Sequence, residues 1–246
     1  MEIIETNTIV IHQPHFMAWL PYYSRIALTE TFVILDDVNF RRYSFHDRTF
    51  ILSTENKKTY CKLPTNGSSN LLIKDVLLIK PGFHINKLLK TIYLNYKKQK
   101  YFDEIYHLFE KNKNLVAEQE KLLDFNLLFL KIIFDFLNIK LPKIDYSSSL
   151  STSKNRNERI VDICNNKKKQ KILCGWGQST QIHDLEFLKN NNIEFVSISK
   201  NSFDSILGDY KLIDGISIID CLMKKGQTGT KNIFDNLMEM YKMTTI

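Results

Sequence analysis

The 246-residue sequence predicts an α/β fold, a Rossmann-like, mostly parallel sheet with a helical block in the middle of the chain. Three observations carry that expectation. Short β-branched runs end in polar turns near both ends of the chain, at Thr8–His12 and Phe32–Asp36 and again at Lys171–Cys174 and Ile193–Ile198. Helix-length segments separate the members of each pair, as parallel pairing requires. Between the two regions, residues 83–140 carry apolar side chains at three- and four-residue spacing, the period of packed helices.

Taken in order, the strand over 8–12 is followed by a helix over 19–28 and a strand over 32–36. Arg48–Ser53 and Thr59–Leu63, joined by Glu55-Asn56-Lys57-Lys58, read as a hairpin. Asn66-Gly67-Ser68-Ser69-Asn70 is a loop, and Leu71–Ile79 reads as another strand. Pro81-Gly82 marks the change of regime, and helices are expected near 84–97, 101–112 and 116–138. After Ser147-Ser148-Ser149 come a helix over 157–166, the strand over 171–174, a loop Gly175-Trp176-Gly177-Gln178-Ser179, a helix over 180–190 and the strand over 193–198. One domain spans 1–246: segments 1–80 and 150–226 build the sheet, 83–140 the helical block and 227–246 a C-terminal helix.

Composition sets the outer bounds. With 43% hydrophobic and 25% charged residues the chain reads as an ordinary globular protein. The formal charge of +7 arises largely from lysine runs such as Lys167-Lys168-Lys169, which read as solvated surface rather than a nucleic-acid face. Such a surface attracts an acidic small substrate or an acidic carrier protein. Cys61, Cys164, Cys174 and Cys221 are widely spaced, with no C-x-x-C pair, so neither a zinc site nor a disulfide framework is expected, and no metal site is assigned. Free thiols and an acidic N-terminus without a signal pattern suit the cytoplasm. The longest apolar stretch, Leu122–Ile139, contains Asp124, Lys131 and Asp135 and therefore reads as a core helix, with no transmembrane segment expected.

The chemistry-bearing residues gather where strands end. His12, Gln13 and His15 close the first strand in a Pro-limited turn, and imidazole is the side chain suited to proton transfer near neutral pH. Asp36 and Asp37 close the second. As consecutive residues of an extended chain they point to opposite faces, so one of them is the better candidate for a base than both are for a shared metal ion. Arg41, Arg42 and Arg48, interleaved with Tyr43, Phe45 and His46, offer guanidinium groups for phosphate oxygens. Gly175 and Gly177 let the backbone between a strand and a helix approach a phosphate. His12-Gln13-Pro14-His15 is also similar to the nucleotide-binding His motif of nucleotidylyltransferases and pantothenate synthetase-type ligases, with Pro14 where that motif has Gly.

Several blocks together resemble one family. His12-Gln13-Pro14 followed by Trp19-Leu20, Tyr22-Tyr23 and Arg25 is similar to the opening HQPxYxPWLGYFxK block of the WbqC-like protein family. Phe32–Phe40 with Arg48 downstream resembles its second block; Asn157-Glu158-Arg159, Cys174–Gln178 and Gly215–Asp220 resemble later ones. The resemblance implies a role among enzymes of O-antigen and other surface polysaccharides, acting on an activated sugar. The reading that follows is a transferase modifying a nucleotide-linked amino sugar, by N-acyl or N-aminoacyl transfer from coenzyme A or a carrier-protein thioester, with no bound cofactor. His12 with Asp36 or Asp37 is expected to supply the base, and Gln13, His15, Trp19, Tyr22, Asn39, Arg41, Arg42, Arg48, Gly175, Gly177 and Gln178 to bind substrate. A glycosyltransferase with Asp36 or Asp37 at a metal, an ATP-dependent amide ligase and a non-catalytic assembly partner remain open alternatives.

Overall fold

The computed structural model describes residues 7–176 and 179–244. Its order is β1 (Thr8–His12), α1 (Leu20–Ala27), β2 (Thr31–Ile34), β3 (Arg48–Leu52), β4 (Lys58–Lys62), α2 (Pro81–Tyr96), α3 (Phe102–Ala117) and α4 (Leu122–Phe136). Then follow β5 (Lys143–Tyr146), α5 (Arg156–Lys167), β6 (Lys171–Cys174), α6 (Ser179–Ile182), α7 (Leu185–Asn190), β7 (Glu194–Ser197), α8 (Lys200–Ser205) and α9 (Ile218–Thr244). Five strands form one sheet in the order β5-β2-β1-β6-β7, and every pair in it is parallel. Counted by appearance in that sheet the order is third-second-first-fourth-fifth, consistent with a Rossmann-like arrangement. β3 and β4 form a separate antiparallel hairpin with Phe50 opposite Tyr60.

Alternation along the central strands sends their side chains into two cores. Ile9, Val33 and Ile172 pack with Ile160, Val161, Ile163 and Cys164 of α5 and Leu188 of α7. Val10, Phe32, Ile34 and Leu173 join the larger core with α1, the helical block and α9. Helices on both faces explain why these strands read as continuous apolar runs rather than alternating ones.

Several local expectations are corrected. Leu71–Ile79 is not a strand: it holds a 3₁₀ turn at Ile73–Asp75 and exchanges isolated bridges with three different segments, as Asn39–Leu72, Thr65–Leu78 and Leu77–Lys121. That pairing also breaks the helix expected over 116–138, because Glu120 O accepts from Leu78 N at 2.8 Å and Leu122 N donates to Val76 O at 3.0 Å. The helix expected over 180–190 is interrupted where the Asp184 side chain caps α7 by accepting from Phe187 N at 2.9 Å. The C-terminal helix starts at Ile218, well before residue 227, and kinks at Gly226. Pro81 does not precede its helix but occupies the first turn of α2, where its missing N–H is harmless. β5, not foreseen, adds the edge strand beside β2.

A buried carboxylate ties the helical block to the hairpin and α9. Asp220 accepts from Tyr96 OH at 3.2 Å, Tyr210 OH at 3.0 Å and Lys224 Nζ at 3.0 Å, while Tyr96 OH accepts from Leu52 N at 3.0 Å. No described helix is long and apolar enough to cross a membrane.

Gly226 has φ +65°, and a Cβ there would lie 2.5 Å from Tyr101 Cδ1. Gly226→Ala combines left-handed strain with overpacking, so urea unfolding is expected to show a loss of about 2 kcal/mol or more. A midpoint equal to wild type would contradict this reading of the kink.

Candidate functional site at the end of the central strands

β1 and β6 lie side by side, and from them the chain crosses toward opposite edges of the sheet. In open parallel sheets the crevice beyond the strand ends at such a switch point is the binding place. Here that crevice receives the 13–19 segment after β1 and Gly175-Trp176 after β6. The first segment is pinned by its neighbours: Phe16 N donates to Phe45 O at 2.8 Å, Thr49 Oγ1 to Met17 O at 3.0 Å and Ile218 N to Ala18 O at 2.9 Å. The hairpin and the start of α9 thus hold the loop that carries Gln13 and His15.

Gln13 is the hub of the site. Its backbone carbonyl accepts from His12 Nδ1 at 2.9 Å and from Tyr22 OH at 3.2 Å. A carbonyl only accepts, so the His12 proton sits on Nδ1 and the Nε2 lone pair is left over, with no hydrogen-bond partner among the described residues. The Gln13 side chain is fixed separately, Oε1 lying 2.8 Å from His46 Nε2. With Nε2–H of His46 donating there, the amide N–H groups of Gln13 remain as unused donors among the described residues. His46 is itself held from behind, Asn126 Nδ2 of α4 donating to its carbonyl at 2.9 Å. Its buried Nδ1 has no partner, which under this tautomer is an orphaned lone pair, less costly than an orphaned N–H.

Rings enclose these groups. His15 stacks on Tyr22 at 5.2 Å, meets His12 edge-on at 4.7 Å and lies 5.5 Å from Phe45 and 6.1 Å from His46. That setting keeps the imidazoles neutral. Burial, then the Arg25 charge and His46, pull His12 down to about 3 against the opposing hydrogen bond to Gln13. Burial with His12, His46 and Arg25 holds His15 well below the ordinary value, and burial followed by Arg41 takes His46 to about 4.

Arg25 of α1, only 9% exposed, lies under the β6 end. Its Nε donates to Pro21 O at 3.2 Å, and no carboxylate pairs with it among the described residues. A Cβ on Gly175 would sit 3.3 Å from Arg25 Nη1, so the loop after β6 lies directly against the guanidinium. Beyond it Trp19 meets Trp176 edge-on at 5.7 Å, and Trp176 continues to Phe203 at 5.2 Å, forming an aromatic wall.

The remaining residues singled out from the sequence are engaged with other partners or point to solvent. Asp36 is buried and accepts from Ser147 Oγ at 3.1 Å, Ser148 N at 2.9 Å and Ser148 Oγ at 2.6 Å. Asp37 accepts from Ser147 Oγ and pairs with Arg159 Nη1 at 3.4 Å. Both carboxylates therefore tie the end of β2 to the turn after β5. Asn39 Nδ2 donates to Ser69 O at 2.9 Å and Arg42 Nε to Gly67 O at 2.7 Å. Arg48 lies between the Tyr43 and Tyr60 rings, 4.7 and 5.2 Å from their centroids, and Arg41 is exposed. Gly177 and Gln178 fall outside the described residues. Sequence reasoning assigned no role to Asn126 and gave Arg25 and His46 none in binding. The available signal for Arg25 was a lone cation on the buried face of an otherwise apolar helix.

The model of the WbqC-like protein family matches residues 13–232 of the chain. No curated protein and no solved structure matches it.

Because His12, His15 and His46 have folded-state values below the ordinary 6.5, the unfolded chain binds more protons at mildly acidic pH. Their contribution is complete above 6.5 and is lost as pH falls, toward about 4 for His46 and about 3 for His12. Urea midpoints should therefore drop between pH 7 and pH 5, above the ordinary carboxylate range. A flat profile across that window would contradict neutral, buried imidazoles.

Proposed function

We propose that this chain, which belongs to the WbqC-like protein family, is a cytoplasmic transferase of surface-polysaccharide biosynthesis that modifies a nucleotide-linked amino sugar by N-acyl or N-aminoacyl transfer. The observation that carries this reading is the 2.9 Å contact between His12 Nδ1 and the Gln13 carbonyl, which as an acceptor sets the neutral tautomer. With Nδ1–H committed to the Gln13 carbonyl, Nε2 is a lone-pair base at the strand-end crevice.

The chemistry follows from its low basicity. An imidazole pulled down to about 3 is a poor base for an ordinary ammonium ion, so the sugar amine enters uncharged. Its nitrogen attacks the thioester carbonyl carbon to form the tetrahedral adduct. As the C–S bond breaks, the nitrogen takes on the character of an N-protonated amide, whose N–H is acidic enough for even a weak base. His12 Nε2 accepts that proton and returns it to the departing thiolate. The unused amide N–H groups of Gln13, oriented through His46, are the donors suited to the oxyanion of the tetrahedral intermediate. Coenzyme A or a carrier-protein thioester supplies the acyl group, and no nucleophilic cysteine is needed. Burial pushes the thiols of Cys61, Cys164 and Cys221 up to about 12, and that of Cys174 upward, which suits none of them to attack.

Asp36 and Asp37 play a supporting part here. Their oxygens already serve Ser147, Ser148 and Arg159, so the leading role passes to His12 and Gln13.

His12→Gln and His12→Ala should each lower turnover about a hundredfold or more while circular dichroism stays native. The wild-type product, read by mass spectrometry from a panel of nucleotide-linked amino sugars and acyl thioesters, should be an N-acylated sugar with its diphosphate intact, formed equally in EDTA. Unchanged turnover in both variants, or release of nucleoside diphosphate abolished by EDTA, would overturn the reading in favour of a glycosyltransferase.

A further inference from the structure

A guanidinium that is 9% exposed and lacks a carboxylate partner among the described residues is a charge whose desolvation those residues leave uncompensated. Buried cations are ordinarily paired, because an unpaired one carries its full desolvation cost. Arg25 uses Nε on the Pro21 carbonyl, within its own helix. That bond orients the planar group but supplies no negative charge. The neighbours that favour its charge are Tyr22 and Cys174, and burial pushes the phenol and the thiol upward, so neither supplies a formal negative charge at neutral pH.

Position narrows the missing partner. Arg25 lies where β6 ends, with Gly175 packed so closely that a Cβ would be 3.3 Å from Nη1. A glycine at a strand end beside a guanidinium lets the backbone and the cation meet the same anion. The crevice at the switch point of a parallel sheet is where phosphate-bearing ligands settle. Bidentate N–H pairs of arginine match phosphate oxygens. Arg42 and Arg48, by contrast, are engaged with the Gly67 carbonyl and with the Tyr43 and Tyr60 rings.

We propose that Arg25, beneath Gly175 at the end of β6, is the residue that holds the diphosphate of the ligand. The aromatic wall of Trp19 and Trp176 next to it offers ring faces for the group attached to that diphosphate. The assignment rests on the transferase reading for the identity of the ligand, since both a nucleotide sugar and coenzyme A carry a diphosphate. The anion site itself requires no transfer reaction.

Calorimetry with inorganic pyrophosphate tests it on the full chain. Wild type should bind, and Arg25→Gln should weaken binding about ten- to a hundredfold, the worth of a charge-assisted hydrogen bond. Should Arg25→Gln fail to fold, the guanidinium N–H resonances of Arg25 in wild-type protein give the answer, because bound pyrophosphate must shift them. Competition by a uridine diphosphate sugar assigns the site to the acceptor, and competition by coenzyme A assigns it to the donor. Absence of pyrophosphate binding, undiminished binding in a folded Arg25→Gln variant, or unmoved Arg25 resonances would each overturn the proposal. Pyrophosphate bound at Arg25 without any N-acylated product would instead overturn the transferase reading alone.

Discussion

The carbonyl oxygen of Gln13 is the point on which the site depends. Placed one residue beyond β1, it accepts from His12 Nδ1 and from Tyr22 OH, so it fixes the protonation pattern of one ring and the position of another. The same residue spends its side-chain oxygen on His46. Three aromatic groups from β1, α1 and the segment before β3 are thereby set by one residue of a five-stranded parallel sheet. Loss of that carbonyl's position would free the His12 tautomer and leave a buried phenol without its acceptor.

The rest of the fold supplies the stiffness this requires. Phe45 and Thr49 hold the 13–19 segment from the hairpin side, and Ser217 and Ile218 hold it from α9. Asn126 reaches from α4 to the His46 carbonyl and is the one buried polar side chain of that helix, whose charged residues Asp124, Lys131 and Asp135 are exposed. Asp220 of α9 accepts from Tyr96 OH of α2, which in turn accepts from Leu52 N of the hairpin, so the supports of the loop are themselves cross-linked. A helical block inserted between two sheet segments therefore works as the rear wall of the strand-end site. Electrostatically, one buried cation and three neutral imidazoles in close contact favour an anionic ligand over a cationic one.

Much of the sheet was legible because its signals are local. The β-branched runs at 8–12, 32–34 and 171–174 are strands in any parallel sheet covered on both faces, and the polar residues after them fall at strand ends automatically. β5 was not legible: Lys143-Ile144-Asp145-Tyr146 has no buried run of its own and is a strand because β2 offers an edge. Leu71–Ile79 misleads in the opposite direction, since its apolar residues are distributed among three partners rather than one. At the site, His12, Gln13 and His15 could be read from their place beyond a strand. The partners of Asp36 are more than a hundred residues away in sequence, and no local pattern reveals that Ser147 and Ser148 occupy its oxygens. Arg25 fits an ordinary helical turn until three dimensions show that no carboxylate among the described residues pairs with it.

The account stands on the protonation of one ring, and the ¹⁵N chemical shifts of His12 measure that directly. A neutral ring with the proton on Nδ1 and an unprotonated Nε2, unchanged from pH 8 down to pH 5, is the expected result. A His12 ring protonated on Nε2, or one that becomes charged within that range, would contradict the arrangement around the Gln13 carbonyl and the chemistry drawn from it.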